Sequence, residues 1–135
     1  MRQTGGCYCG ELKYEITGAP LMKGQCHCRE CQYIAGGGPQ YYMAIRSVDF
    51  QLISGSPKAF QRRDLANAVT REFCEDCGTH IVTRRPDFEG VLLKVGTLDH
   101  PAEFRAPRVA IFTKDAQPFH HIPAELTCFE GLPDM

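Results

Sequence analysis

The chain has 135 residues, 43% of them apolar, with 15 basic side chains against 16 acidic ones. That length suits a single domain spanning residues 1–135, and a net charge of −1 argues against a polyanion as partner. No apolar run approaches the roughly 18–20 residues that span a bilayer, and the opening MRQTGGCYCGELKYE lacks the apolar stretch of a signal peptide, so the expected location is the cytoplasm, where thiols stay reduced.

Glycines and prolines, 13 and 9 in number, cut the chain into short pieces that favour strands over long helices. Leu12, Tyr14 and Ile16 alternate with Lys13, Glu15 and Thr17, the pattern of a half-buried strand that Gly18-Ala19-Pro20 ends. Leu21 to Gln25 forms a second strand, leading into Cys26-His27-Cys28-Arg29-Glu30-Cys31. One short helix is expected over Gln32–Ala35, starting at the thiols so that its dipole favours negative sulfur, and stopped by Gly36-Gly37-Gly38-Pro39. Strands follow at Tyr41–Ile45 and Phe50–Ile53, around the turn Arg46–Asp49. Ala59–Arg63 and Val69–Phe73 read as the arms of a hairpin, with a short helix over Arg62–Val69 as the competing reading. Further strands are expected at His80–Arg84, Val91–Val95 and Val109–Thr113, the last two apolar enough to be central. From Ala116 the chain reads as irregular, anchored by Phe119, Ile122, Leu126, Phe129 and Leu132. The fold class is mainly β: antiparallel sheets tied together by metal knuckles.

The eight cysteines divide four, three and one. Cys7-Tyr8-Cys9 and Cys74-Glu75-Asp76-Cys77 make a complete four-thiolate set, flanked by Gly5, Gly6, Gly10 and Gly78, and a closed set of this kind is structural. Cys26, Cys28 and Cys31 are one ligand short of a tetrahedron, so they either hold zinc with an exchangeable fourth position, are closed by histidine or water, or include a redox-sensitive C-x-x-C pair. The five histidines offer no compelling fourth ligand. His27 should point away from an ion held by its neighbours, His80 reads as a hydrogen-bonded residue behind the first site, His100 has no distinguishing context, and His120-His121 reads as a surface loop. Cys128 stands alone. Chelate spacing without an export signal favours metal over disulfides.

Together these segments resemble the glutathione-dependent formaldehyde-activating enzyme (Gfa) or centromere protein V family. The resemblance rests on Gly5-Gly6-Cys7-Tyr8-Cys9-Gly10 with Tyr14, on the cysteine triad and the glycines after it, on Arg71-Glu72-Phe73-Cys74-Glu75-Asp76-Cys77-Gly78-Thr79, and on Gly96-Thr97-Leu98-Asp99. It implies an Mss4-like (β-tent) fold, a structural zinc at Cys7, Cys9, Cys74 and Cys77, and a second, labile zinc at Cys26, Cys28 and Cys31. It also implies a carbon–sulfur lyase activity that joins formaldehyde to glutathione as S-(hydroxymethyl)glutathione. Two carboxylates on glutathione call for cations, for which Lys23, Arg29, Arg46, Arg62 and Arg71 are available. Where many members carry histidine before Ile-Phe this chain has Ala110, and where a tryptophan often follows in the tail it has Phe119. The alternative is a non-enzymatic zinc- or thiol-binding module on the same fold; a nucleic-acid-binding ribbon is disfavoured by the charge balance.

Overall fold

The computed structural model describes residues 2–133; residue 1 and residues 134–135, the ends of the expected domain, lie outside it. It contains eleven strands and one α-helix among the described residues. In order they are β1 (Arg2–Gly6), β2 (Lys13–Thr17), β3 (Met22–Cys26), α1 (Arg29–Ala35), β4 (Gln40–Arg46), β5 (Phe50–Ser54), β6 (Lys58–Gln61), β7 (Thr70–Phe73), β8 (His80–Arg84), β9 (Gly90–Lys94), β10 (Val109–Ile111) and β11 (Thr127–Cys128). A three-stranded sheet has the order β1-β2-β5, and an eight-stranded sheet the order β11-β10-β3-β4-β9-β8-β7-β6. All neighbours are antiparallel except β10, which runs parallel to β3 and β11.

The pleat sends alternate side chains to opposite faces. On one face of the large sheet, Met43 and Ile45 of β4, Val91 and Leu93 of β9 and Val82 of β8 pack against Leu12, Tyr14 and Ile16 from the small sheet. This is the main core. The Tyr14 hydroxyl donates to Thr97 Oγ1 (2.7 Å), which donates onward to the Lys94 carbonyl, so the buried phenol is satisfied. On the other face, the registers Met22↔Ala44↔Leu92↔Thr83 and Gly24↔Tyr42↔Lys94 line up a second surface, which closes over Cys26, Val109 and Ile111. Gly24 is required there, since a Cβ on it would strike the Tyr42 ring.

The expected strands are present, with differences that have physical causes. The Arg46–Asp49 turn becomes a 3-10 turn, through which the chain leaves the large sheet and joins the small one. Residues 62–69 form the hairpin loop between β6 and β7, with no helix, the hairpin being held by four registered pairs. The helix begins at Arg29, three residues earlier than expected, because Cys28 caps it by accepting the Cys31 N–H. It ends where expected, at Gly36, whose φ of 77° is the left-handed conformation that glycine tolerates. Strands β1 and β11 have no alternating apolar signal; one holds an edge of the small sheet and the other an edge of the large one. Of the expected tail anchors, Ile122, Leu126 and Phe129 are half-buried, but Phe119 and Leu132 are exposed. The Phe119 ring packs edge-on against His120 rather than entering a core.

Candidate functional site

The first thiol cluster joins the loop after β1 to the turn after β7. The sulfurs of Cys7, Cys9, Cys74 and Cys77 all lie within 4.8 Å of one another. Cys7–Cys9 and Cys9–Cys74 are separated by 3.6 and 3.7 Å, and a tetrahedron of sulfurs about 2.3 Å from its centre has edges of about 3.8 Å. The donor set therefore fits a zinc-sized ion. The backbone supports the negative charge: the Leu12 N–H donates to Cys7 Sγ at 3.2 Å. Thr79 links the two halves, accepting the Tyr8 N–H at 3.1 Å and lying 3.2 Å from Cys77 Sγ, to which its hydroxyl donates. These Thr79 contacts pull the Cys77 thiol down to about 6.

The second cluster stands at the junction of β3 and α1. Cys26 ends the strand, Cys28 caps the helix and Cys31 lies in its first turn, again with all sulfurs within 4.8 Å. Among the described residues no fourth histidine, cysteine or carboxylate joins them. Hydrogen bonds from the Cys26 and Cys31 thiols favour the Cys28 thiolate, helped by the Cys31 N–H and the charge of Arg71, and hold Cys28 far below the usual thiol range. Cys31 is pushed up to about 11: its bond with Cys26 favours the thiolate, but the bond with Cys28 and burial outweigh it. Cys26 is also pushed up, because its bonds to Cys28 and Cys31 hold its proton. Three thiols that cannot all ionise alone at neutral pH form a donor set that a divalent cation would stabilise.

His27 does turn away. Its side chain is fully buried behind the triad, within 2.9 Å of both Gln25 Nε2 and His120 Nδ1. The surrounding donors settle every proton. Gln25 donates its amide hydrogens to His27 Nε2 and the His121 carbonyl, so His27 carries its proton on Nδ1 and donates to His120 Nδ1. His120 Nδ1 also accepts the Gln117 N–H, while its Nε2–H donates to the Gly37 carbonyl at 2.7 Å. The pair His120-His121 is thus only half a surface loop: His121 is exposed, and His120 is built into a network that clips the tail to the cysteine loop. Gln32, also buried, reinforces it by donating to the His27 and Asp115 carbonyls. His80 differs from expectation in the other direction. It stacks on Phe73, and its buried Nδ1 has no hydrogen-bond partner. His100 is exposed, as is Cys128.

The three thiols form one wall of a 330 Å³ cavity on the second face of the large sheet. Of the cations read from sequence, Arg29 and Arg71 line it. Lys23, Arg46 and Arg62 do not: Lys23 donates to the Phe104 carbonyl, and the other two pair with Asp49 and Asp64. Arg85 and Lys94 also line the cavity and had not been read as part of the site. A lysine closing the otherwise apolar strand Gly90–Lys94 is the signal that marked it. Burial pushes Lys94 down to about 8 against the pull of the nearby Cys31 thiol. Burial likewise pushes Tyr42 up to about 12, keeping the phenol protonated. Arg71 is held by Glu30 at 3.0 Å and donates to Thr83 at 3.2 Å. Tyr42, Leu92, Ile111 and Phe112 supply apolar walls. Phe112 adopts φ 53°, a left-handed backbone rare for a bulky residue, immediately beside the thiols. Ala110, buried in β10, alternates with Val109 and Ile111 and so faces away from this cavity.

A small, mainly β protein with two sheets, one helix and two thiol clusters able to hold metal ions defines an Mss4-like fold. The family model of the glutathione-dependent formaldehyde-activating enzyme matches residues 2–115, and the chain belongs to that family. Among solved structures, a Rhodobacter sphaeroides protein determined as a structural-genomics target is similar in fold, with a TM-score of 0.58 and 20% identity over 71% of this chain and 87% of that one. No protein with a curated description matches the chain. Among the described residues, no helix is long and apolar enough to cross a membrane.

Proposed function

We propose that the chain is a single zinc-binding domain acting as a carbon–sulfur lyase-type enzyme in the cytoplasm, with glutathione and formaldehyde as its substrates and S-(hydroxymethyl)glutathione as its product. In this reading Cys7, Cys9, Cys74 and Cys77 hold a structural zinc, and Cys26, Cys28 and Cys31 hold a second, exchangeable one. The observation that carries the proposal is the convergence of three thiols, without a fourth ligand among the described residues, on the wall of a cation-lined cavity. Zinc bound there supplies a Lewis acid at which an incoming thiol is favoured as thiolate.

The residues of the chain do the rest. Arg71, Arg85 and Lys94 attract the carboxylates of the thiol, with Arg71 already oriented by Glu30 and Thr83. Tyr42, Leu92, Ile111 and Phe112 exclude water from the reacting pair. In the overall reaction a sulfur–carbon bond forms, the carbonyl π pair moves to oxygen, and the proton lost by the thiol ends on that oxygen. Tyr42 and Lys94, both carrying protons at pH 7, are the groups that hold it in transit.

Exchange NMR on equilibrated formaldehyde and glutathione tests the proposal. Wild type should accelerate exchange over the spontaneous rate, and folded Cys28→Ser should not. No acceleration by protein carrying two zinc ions would overturn the activity and leave a zinc- or thiol-binding module.

A further inference from the structure

Beside the cavity that the thiol and a one-carbon electrophile share, the site has a further apolar space. On the other side of Tyr42, Leu92 and Ile111 lies a second hollow of 110 Å³, bounded by Met22, Ala44 and Phe88. These three residues and Arg85 line both spaces. The strand registers explain why the two spaces adjoin: Met22, Ala44 and Leu92 are consecutive partners across β3, β4 and β9, all on the face that carries the thiols. Among the described residues Arg85 is the one charged side chain lining the second hollow, and its guanidinium is paired with Asp87 at 2.9 Å. The peptide groups of a thiol such as glutathione would lose water there without gaining partners, whereas a hydrocarbon group would gain.

We infer that this site also accepts, and prefers, carbonyl substrates larger than formaldehyde that carry a branched or aromatic apolar substituent of about four to six carbons, seated in the second hollow with the carbonyl carbon toward Cys26, Cys28 and Cys31; a hollow of this size holds about four water-sized groups and shares Tyr42, Leu92 and Ile111 with the larger space. The inference rests on the lyase reading and deepens it. The chemistry is unchanged: thiol sulfur bonds to the carbonyl carbon, the π pair goes to oxygen, and the thiol proton ends there, giving a hemithioacetal without oxidant or reductant. Burying a leucine-sized group should raise the specificity constant about 30-fold.

The test compares 3-methylbutanal with formaldehyde, each with glutathione, by exchange NMR on wild-type zinc-loaded protein and on Ala44→Phe, with Ala44→Leu as the milder filling of the hollow. A separate binding readout follows the methyl signals of Met22 and Ile111 on addition of 3-methylbutan-1-ol, which cannot react. Acceleration over background about 30-fold greater for 3-methylbutanal than for formaldehyde, a ratio that drops in the filled variants, and saturable methyl shifts in wild type support the inference. Equal or greater acceleration for formaldehyde without methyl shifts overturns it and leaves the lyase reading standing. Absence of acceleration for either aldehyde, with the methyl shifts present, supports the apolar hollow as a ligand site and overturns the lyase reading. Absence of both overturns both.

Discussion

Replacing His120 with alanine should destabilise the protein through a group it never exposes. The His27 side chain is fully buried, and its Nδ1–H has His120 Nδ1 as acceptor at 2.9 Å. Gln25 occupies the other ring nitrogen, so the imidazole has no second arrangement that satisfies it. Truncation strands that donor at a cost of about 1–3 kcal/mol and forfeits ring packing of about 0.5–1.5 kcal/mol against His27 and Phe119. The Gly37 carbonyl also loses its donor, but at a partly exposed site that water can serve. The sum is about 2–4 kcal/mol, or about 8–15 °C in Tm for a chain of this size. Thermal denaturation of the zinc-loaded protein at pH 7.5 measures it. His121→Ala is the control, because only its backbone carbonyl enters the network; it should change stability by less than about 0.5 kcal/mol. Long-range proton–nitrogen NMR should find His27 protonated at Nδ1 and His120 at Nε2. A His120→Ala protein within about 0.5 kcal/mol of wild type would show that the network is not what holds the tail to the cysteine loop.

Cys74→Ser should lose one zinc per chain and fail to fold at 37 °C, since the four-thiolate site joins the N-terminal segment to the middle of the chain; a folded variant retaining full zinc content would refute the structural role. Lys94→Met should weaken binding of the second zinc by about tenfold or more in chelator competition, because three thiolates leave a net negative centre and this buried ammonium lines the same cavity; unchanged affinity would remove Lys94 as counter-charge. His80→Phe should stabilise the fold by about 1 kcal/mol, since the phenyl ring keeps the stack on Phe73 and removes an unpartnered buried nitrogen. The same change bears on pH. Burial, with Lys94 and Arg71 adding repulsion, lowers the native His80 pKa, so below the unfolded value of about 6.5 the unfolded chain binds a proton that the native chain does not. Wild type should therefore lose stability as pH falls through that value, and His80→Phe should lose less, as urea denaturation at pH 7.5 and 5.5 would reveal; parallel losses would assign the pH dependence to other groups.

The strands with alternating or continuous apolar residues were legible because burial on one face imposes a period of two. Leu12, Tyr14 and Ile16 gave themselves away in this manner, and so did the stretch ending in Lys94. Strand β1 was not legible. Gln3, Thr4 and Gly5 belong to it through backbone pairing with β2, which needs no apolar pattern. The partition of cysteines into four and three was also legible, because chelation by neighbouring residues leaves short spacings in the chain. The sequence reading missed Arg85 and Lys94, and it placed Lys23, Arg46 and Arg62 among the available cations, since a cation looks the same in sequence whether it meets a cavity, a backbone carbonyl or a surface carboxylate. It also took His120 for a loop residue, because its partner His27 lies 93 positions away.

By itself the sequence determined the grouping of the cysteines: which thiols belong together, that one set has four members and the other three, and that the scaffold between them is β. Local spacing carries that information, since ligands to one ion must lie within a few ångströms and short turns provide this. Only the tertiary structure decided what the incomplete set faces. Five strands distant in sequence bring Cys26, Ala44, Arg71, Thr83 and Leu92 to one face of one sheet. A cavity assembled in this way leaves no pattern in any single segment, because each strand contributes one or two side chains and the pairing register alone determines which of them meet.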